Sequence, residues 1–421
     1  MEDITKLLCA SSLFILFYSM VAKYVKNRYH IPDPLVTMLF GIAVGHHGLN
    51  ILNTHYVYSK VIVLNFSRIV LCLQTMAIAL KVDQTHLRRN LTSLFNLIIT
   101  AGILKCFLTF LCIFAFTYFG GATSWALAAA LTPTDPILSS SIVSGRFAKK
   151  NVDEHLRMLL VAESGVNDGI GIVLLNISVL LNKSISLGNI RAVLIDFLLD
   201  TFLLKIVISI LVGSILGSVT RFCSKKCYQH QLLNSDILMI HSFALAFLNL
   251  AAMTILDGSE LIAIFFAGLF LNKGAWYTNE QSNTKISDVI ENSFFMALFV
   301  FLGSRIDFSR FNTRMFLVIF LVILIRLITV LVLYRPLIPA IKTPVEAAFI
   351  GFFGPIGVGA VYYSLLYDIK FDALTVDYAM CSVFVSVVLH GLAVPGYCLI
   401  RNMQKIRNET HAHIQTDEIG I

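Results

Sequence analysis

Leu131-Thr-Pro-Thr-Asp-Pro-Ile137 interrupts a stretch that otherwise reads as a membrane-spanning helix. Pro133 and Pro136 bracket Thr134 and Asp135. Each proline removes a backbone donor and disrupts the preceding turn, so this span is expected to unwind in mid-membrane, where loose backbone must be buried in protein or line a cavity. Ala162-Glu-Ser-Gly-Val-Asn-Asp-Gly169 sets a second carboxylate, Asp168, in another apolar stretch. An ionisable group in lipid costs at least about 2.5 kcal/mol on the mildest scale, so both aspartates mark a functional site.

Outward from these strings the chain is apolar from end to end. Hydrophobic residues make up 57% of the 421 positions and charged ones 14%, more apolar surface than a soluble domain buries. The fold class is therefore an all-α polytopic membrane protein of about 13 transmembrane helices, each near the 20 residues that cross a bilayer. The expected cores lie near 4–22, 33–50, 61–80, 94–118, 122–145, 157–182, 193–219, 236–256, 258–272, 289–304, 314–334, 345–366 and 377–400. The stretch 258–272 is short enough to be fused with its neighbour or re-entrant. Residues 1–400 are expected to form one transmembrane domain and 401–421 a short tail, with no separate soluble domain expected within them.

With the N-terminus outside, the inner loops collect Lys23, Lys26, Arg28, Arg88, Arg89, Arg146, Lys149, Lys150, Arg157, Arg221, Lys225, Lys226, Lys342, Arg401, Lys405 and Arg407, as the positive-inside rule requires. The C-terminus is then cytoplasmic. Arg305, Arg310 and Arg314 fall on the outer side, against the rule. The net charge of +7 reflects orientation toward an anionic inner leaflet, so membrane lipid is a partner and nucleic acid is not. The first span lacks a small-residue cleavage site and reads as a transmembrane helix. The eight cysteines are scattered, mostly within spans, and read as reduced packing residues; Cys223-Ser-Lys-Lys-Cys227 is a weak zinc signal. The sequons Asn90-Leu-Thr92 and Asn408-Glu-Thr410 fall on the predicted inner side, where no glycan is expected.

The second half carries its own interruption, Gly354-Pro355-Ile-Gly357-Val-Gly359, within an apolar span. Paired Gly/Pro-broken helices point to an inverted-repeat secondary transporter with its site near the midplane; two proline kinks without an ion role are the plainer alternative. On the helix around Asp168, Ser164 and Asp168 are one turn apart, as are Glu163 and Asn167, giving two stripes of oxygen-bearing side chains on roughly one face. Gly165, Gly169 and Gly171 are expected to admit another backbone there. Asp168, Asp135, Ser164, Asn167 and Thr134 offer hard oxygen ligands suited to a small monovalent cation, Na+ at Asp168 and Asp135, and no His/Cys set suggests a transition metal. Half-helix ends add dipoles that offset part of the Asp135 charge. Arg326, alone in Val322-Ile-Leu-Ile-Arg-Leu-Ile328, needs a buried anion, for which Glu163 is favoured over interfacial snorkelling. Lys105, Lys205 and Arg68 are read as snorkelling, His390 as a packing residue rather than a proton relay, and His46-His47 as interfacial. No organic cofactor or nucleotide motif accompanies the spans.

The strings Leu131-Thr-Pro-Thr-Asp-Pro136, Ala162-Glu-Ser-Gly-Val-Asn-Asp-Gly169, Phe265-Phe-Ala-Gly268, Gly354-Pro-Ile-Gly-Val-Gly-Ala360 and His390-Gly391 resemble, in order, those of the monovalent cation:proton antiporters. The Asn-Asp pair resembles the Na+/H+ exchanger branch and, within it, the fungal plasma-membrane Na+(K+)/H+ antiporters. The resemblance implies thirteen helices in two inverted six-helix repeats with crossed broken helices, and a homodimer. It implies core helices near 94–182 and 289–400 that move against dimerisation helices near 33–80 and 193–272. It makes Asp168 the residue that alternately holds cation and proton, with Asp135 and Thr134 at the crossing, Ser164 and Asn167 beside the ion, and Glu163 with Arg326 as an internal ion pair. The chain departs from that pattern at Ile170-Gly-Ile-Val173, where relatives carry a Phe/Pro-containing run. It departs again at Lys81, where an acidic residue is expected, and in the short stretch after Arg401.

The expected mechanism is competition at one site. Burial disfavours a charged carboxylate and a nearby cation restores it, so one carboxylate can take H+ or Na+ in turn. With Asn167 neutral, 1:1 electroneutral exchange is the simpler expectation, and a second proton on Asp135 would make it electrogenic. A cation channel or a non-transporting sensor of the same fold is the alternative; an intramembrane aspartyl protease lacks its Gly-x-Gly-Asp motif.

Overall fold

The computed structural model describes the chain except residues 1, 53–59, 140–151, 188–189, 281–285 and 419–421. Arg146, Lys149 and Lys150, the span expected to 145 beyond Ser139, and the side chains of Arg401, Lys405, Arg407 and Asn408 lie outside the described residues.

The longer described elements are helical: α1 (Glu2–Tyr29), α2 (Asp33–Val44), α3 (Lys60–Lys81), α4 (Leu91–Phe116), α5 (Gly121–Ala130), α6 (Glu154–Leu187), α7 (Phe197–Gln229), α8 (Ser235–Leu256), α9 (Glu260–Leu271), α10 (Ile286–Ser304), α11 (Thr313–Leu337), α12 (Pro344–Phe352), α13 (Val358–Phe371) and α14 (Thr375–Glu418). Among the described residues nine helices are long and apolar enough to span a bilayer, with shorter apolar helices at Asp33–Val44 and Asn292–Ser304. Together with two interrupted elements, α5 with its continuation and α12 with α13, this is compatible with the expected thirteen crossings. The short α9 is a separate element: Asp257, left-handed at φ 53°, ends α8, and Gly258 and Ser259 lead into α9.

Lipid tails are as apolar as leucine, so helix association here depends on close packing of small residues. Gly213 and Gly217 of α7 lie against the backbone of Ala263 and Ala267 of α9, leaving no room for a Cβ. Gly41 of α2 and Gly303 of α10 meet in the same way. Gly165, Gly169 and Gly171 do otherwise: their space is filled chiefly by the side chains of Ile78, Ile262, Tyr363 and Pro133, not by the backbone expected from the sequence. α3 and α6 are thereby held beside α9 and α13, around the two breaks.

A candidate ion site at the crossed helix breaks

Pro133 lies within the first break and Pro136 begins the helix after it. α5 ends at Ala130, Leu131–Asp135 is unwound, and helix resumes at Pro136. In the second half α12 ends at Phe352 and α13 begins at Val358. The unwound segments cross, with the amide of Asp135 donating to the carbonyl of Pro355 at 2.7 Å. Two half-helix N-termini and two C-termini therefore meet inside the bundle, where unsatisfied backbone groups are costly.

Side chains satisfy each end. Asp135 Oδ1 accepts from the amides of Ile137 (2.9 Å) and Leu138 (2.8 Å), capping the helix that starts at Pro136. Its Oδ2 accepts from Val358 N at 3.1 Å, capping α13 as well. A Cβ on Gly357 would occupy the position of that carboxylate. Lys105 Nζ donates to the carbonyls of Leu131 (3.0 Å) and Thr132 (2.8 Å), at the open end of α5. At the end of α12, His390 Nε2 lies 2.9 Å from Phe352 O, and Arg326 Nη2 donates to Ile350 O at 3.1 Å. Ser386 Oγ accepts from Ile356 N at 2.7 Å. Acid thus stands at the positive helix ends and base at the negative ones, as the helix dipole favours.

Lys105 is 3% exposed, so it does not snorkel as its sequence position suggests; the carbonyls freed by the break hold it inside. Lys205 is also buried, donating to Asp257 O at 2.9 Å. Arg68 pairs with Glu260 at 2.9 Å, and Glu260 also accepts from Tyr362 OH at 2.5 Å. For Lys105 and Arg68 the Leu131 and Thr132 carbonyls and Glu260 are acceptors inside the bundle, whereas Asp257, which receives Lys205, is exposed.

Glu163 and Arg326 meet in a buried bidentate pair, Nη1 to Oε1 at 2.9 Å and Nη2 to Oε2 at 3.0 Å. Gly354 makes the room, since a Cβ there would overlap the guanidinium. The glycine read from sequence only as a helix breaker therefore has a packing duty too.

Asp168 is treated differently from Asp135. It is 1% exposed, and its Oδ2, like Oδ1 of Asn167, has no hydrogen-bond partner among the described residues. The Tyr363 hydroxyl donates to its backbone carbonyl, and Gly359 leaves its carboxylate open, a Cβ there falling 3.2 Å from Oδ1. Ser164 lies one turn away, its hydroxyl 3.0 Å from Thr134 Oγ1 and 3.1 Å from Ser139 Oγ. Thr134, Asp135, Ser164 and Asp168 thus converge around the crossing, with Asn167 adjoining in sequence, while Glu163 and Arg326 form their separate pair. The sequence reading missed Ser139, which the period of four from Asp135 marks, and Tyr363, which only the fold brings to Asp168. Buried carboxylate and hydroxyl oxygens of this kind fit a hard monovalent cation.

The family model "Sodium/hydrogen exchanger, transmembrane" matches residues 13–399. Similar proteins include a "Na(+)/H(+) antiporter" of Saccharomyces cerevisiae, 34% identical over 369 residues, 84% of this chain and 37% of the relative. Another is "Na(+)/H(+) antiporter 2" of Zygosaccharomyces rouxii, 32% identical over 376 residues, 84% of this chain and 45% of the relative. The chain spans less than half the length of these two proteins. The fold is that of the sodium proton antiporter MjNhaP1 from Methanocaldococcus jannaschii solved at pH 8, with TM-score 0.71 and 18% identity, covering 94% of this chain and 97% of that one.

Proposed function

The chain belongs to the sodium/hydrogen exchanger family, and from that premise we propose that it is a secondary active antiporter, not an enzyme, exchanging Na+ for H+ by alternating access. The observation that carries the proposal is the contrast between the two aspartates. Asp135 is engaged by three backbone amides, whereas Asp168, equally buried, has a carboxylate oxygen with no partner among the described residues. A carboxylate in that position requires either a proton or a cation, and which one it holds depends on pH and cation concentration. Asp168 is the exchanging group; Ser164, Asn167 and Thr134 supply further oxygens, and Asp135 holds the crossed helices while adding negative charge. Glu163 and Arg326 neutralise each other and hold α6 to α11.

The finer features follow the family likeness: a homodimer, a core moving against dimerisation helices, residence in the plasma membrane, and Li+ and K+ as further substrates. A cytoplasmic C-terminus is supported by the loop charges. Two of the three arginines that break the rule are locally answered, Arg310 by Asp307 (3.2 Å) and Asp377 (3.3 Å), and Arg314 by the Tyr118 ring at 4.7 Å. One exchanging carboxylate beside a neutral Asn167 favours 1:1 stoichiometry. The test is dequenching of a pH-sensitive dye in proteoliposomes with an imposed proton gradient, adding Na+, Li+ or K+ with voltage clamped by valinomycin. Na+ should collapse the gradient with wild type and not with Asp168→Asn; full exchange by the variant would refute the assignment.

A further inference from the structure

Gln74 of α3 is fully buried (0% exposed), and among the described residues neither its amide oxygen nor its amide nitrogen has a hydrogen-bond partner. A buried amide with both ends unsatisfied is destabilising, and an apolar residue of the same length would relieve it. Its position in the helix register indicates why a polar group stands there.

α3 and α9 run parallel in one register: Arg68 pairs with Glu260, Met76 lies against Gly268, and Asn272 donates to the carbonyl of Leu80. α6 runs antiparallel to α9, with Gly165 beside Phe265 and Gly169 beside Ile262. It is therefore antiparallel to α3, against which it packs where the Ile78 side chain fills the space at Gly165. Gln74 is one turn before Ile78 on the same face of α3. One turn after Gly165 on the antiparallel partner come Asp168 and Gly169. The unpartnered amide thus stands at the level of the unpartnered Asp168 oxygen, on a helix that belongs to neither break.

We propose that Gln74 is a further ligand of the transported cation, its amide oxygen completing the coordination begun by Asp168. The inference rests on the antiport reading above. A neutral amide oxygen suits a hard monovalent cation and adds no charge, so Gln74 sets affinity and selectivity among alkali cations without changing how many protons are exchanged.

The experiment uses the full chain in proteoliposomes, with Na+ and Li+ titrated for wild type, Gln74→Met and Gln74→Glu. Gln74→Met keeps length and removes both polar atoms. It should raise the KM for Na+ about tenfold, the effect of losing one interaction with a charged group, while the maximal rate changes less than about twofold. Gln74→Glu restores an oxygen, should recover the KM, and should move the acid limb of the pH profile to higher pH, because a second carboxylate beside Asp168 favours protonation. An unchanged KM and Na+/Li+ ratio in Gln74→Met, or a loss of rate at constant KM, overturns the proposal. If Gln74→Met fails to reach the bilayer folded, Gln74→Glu decides: an unaltered pH profile there overturns it equally. Wild-type protein that exchanges no cation overturns the antiport reading, and this one with it; exchange by wild type with both variants unaltered overturns Gln74 alone.

Discussion

Glu163→Leu and Arg326→Leu break the same ion pair from opposite sides, and the structure gives the expected size of each effect. The pair is held by two charge-assisted hydrogen bonds of 2.9 and 3.0 Å with both side chains nearly or fully buried. At about 1.5–3 kcal/mol for each such bond, their gross value is about 3–6 kcal/mol. Removing one partner also strands the other charge, so each single variant should lose about 3–5 kcal/mol. Arg326→Leu should be the worse by about 1 kcal/mol, because it also abandons the carbonyl of Ile350 at the end of α12. In the double variant no charge is stranded, and leucines of similar bulk face each other. Its loss should fall below that of either single variant, giving a coupling of at least about 3 kcal/mol. The assay is unfolding of the purified protein in mixed micelles, titrated with denaturing detergent and followed by circular dichroism for all four members of the cycle. Single-variant losses that simply add, with coupling below about 0.5 kcal/mol, would refute a buried pair.

Asp135→Ala removes the cap from two helix starts at once and leaves three inward-facing amides unsatisfied, so it should cost about 2–4 kcal/mol in the same unfolding assay. Asp168→Asn, which strands no amide, should cost less than Asp135→Ala. Gly357→Ala puts a methyl where the Asp135 carboxylate sits and should abolish exchange while costing at least about 1–3 kcal/mol from overpacking, seen as a lowered melting temperature. Asp307, in the loop between α10 and α11, is held down from its ordinary 3.8 to about 2, first by the Ser309 hydroxyl and then by His47 and the Ser309 amide. A depressed carboxyl stabilises the fold above its unfolded value and loses that contribution as pH falls from 3.8 through about 2. The melting-temperature deficit of Asp307→Asn should therefore be present at pH 7 and shrink steadily below pH 4.

Much of this site was legible because lipid enforces strict rules on sequence. A proline pair around Thr134 and Asp135 points to a break in the span, and a lone Arg326 demands an acid, which Glu163 supplies from a span far away in the chain. Lys105 reads as snorkelling from sequence because its partners are backbone carbonyls, which exist as acceptors only once the helix at Leu131 has broken. His390 and Ser386 were illegible for the same reason, since they answer the open ends at Phe352 and Ile356. Gly165, Gly169 and Gly171 announced close packing, but not that side chains, rather than a backbone, would fill the space. The unequal treatment of Asp135 and Asp168 depends on where helix N-termini point after crossing, which no spacing in the chain records.

The central claim is that one carboxylate holds either a proton or a cation, and proton release on cation binding tests it most directly. Na+ is titrated into the purified protein by calorimetry in two buffers of different ionisation enthalpy at a pH where Asp168 is protonated. The account predicts that binding displaces about one proton per cation in wild type, because a ligand must be deprotonated to coordinate. It predicts none in Asp168→Asn. Cation binding with no proton displaced, or the same release from wild type and Asp168→Asn, would contradict it.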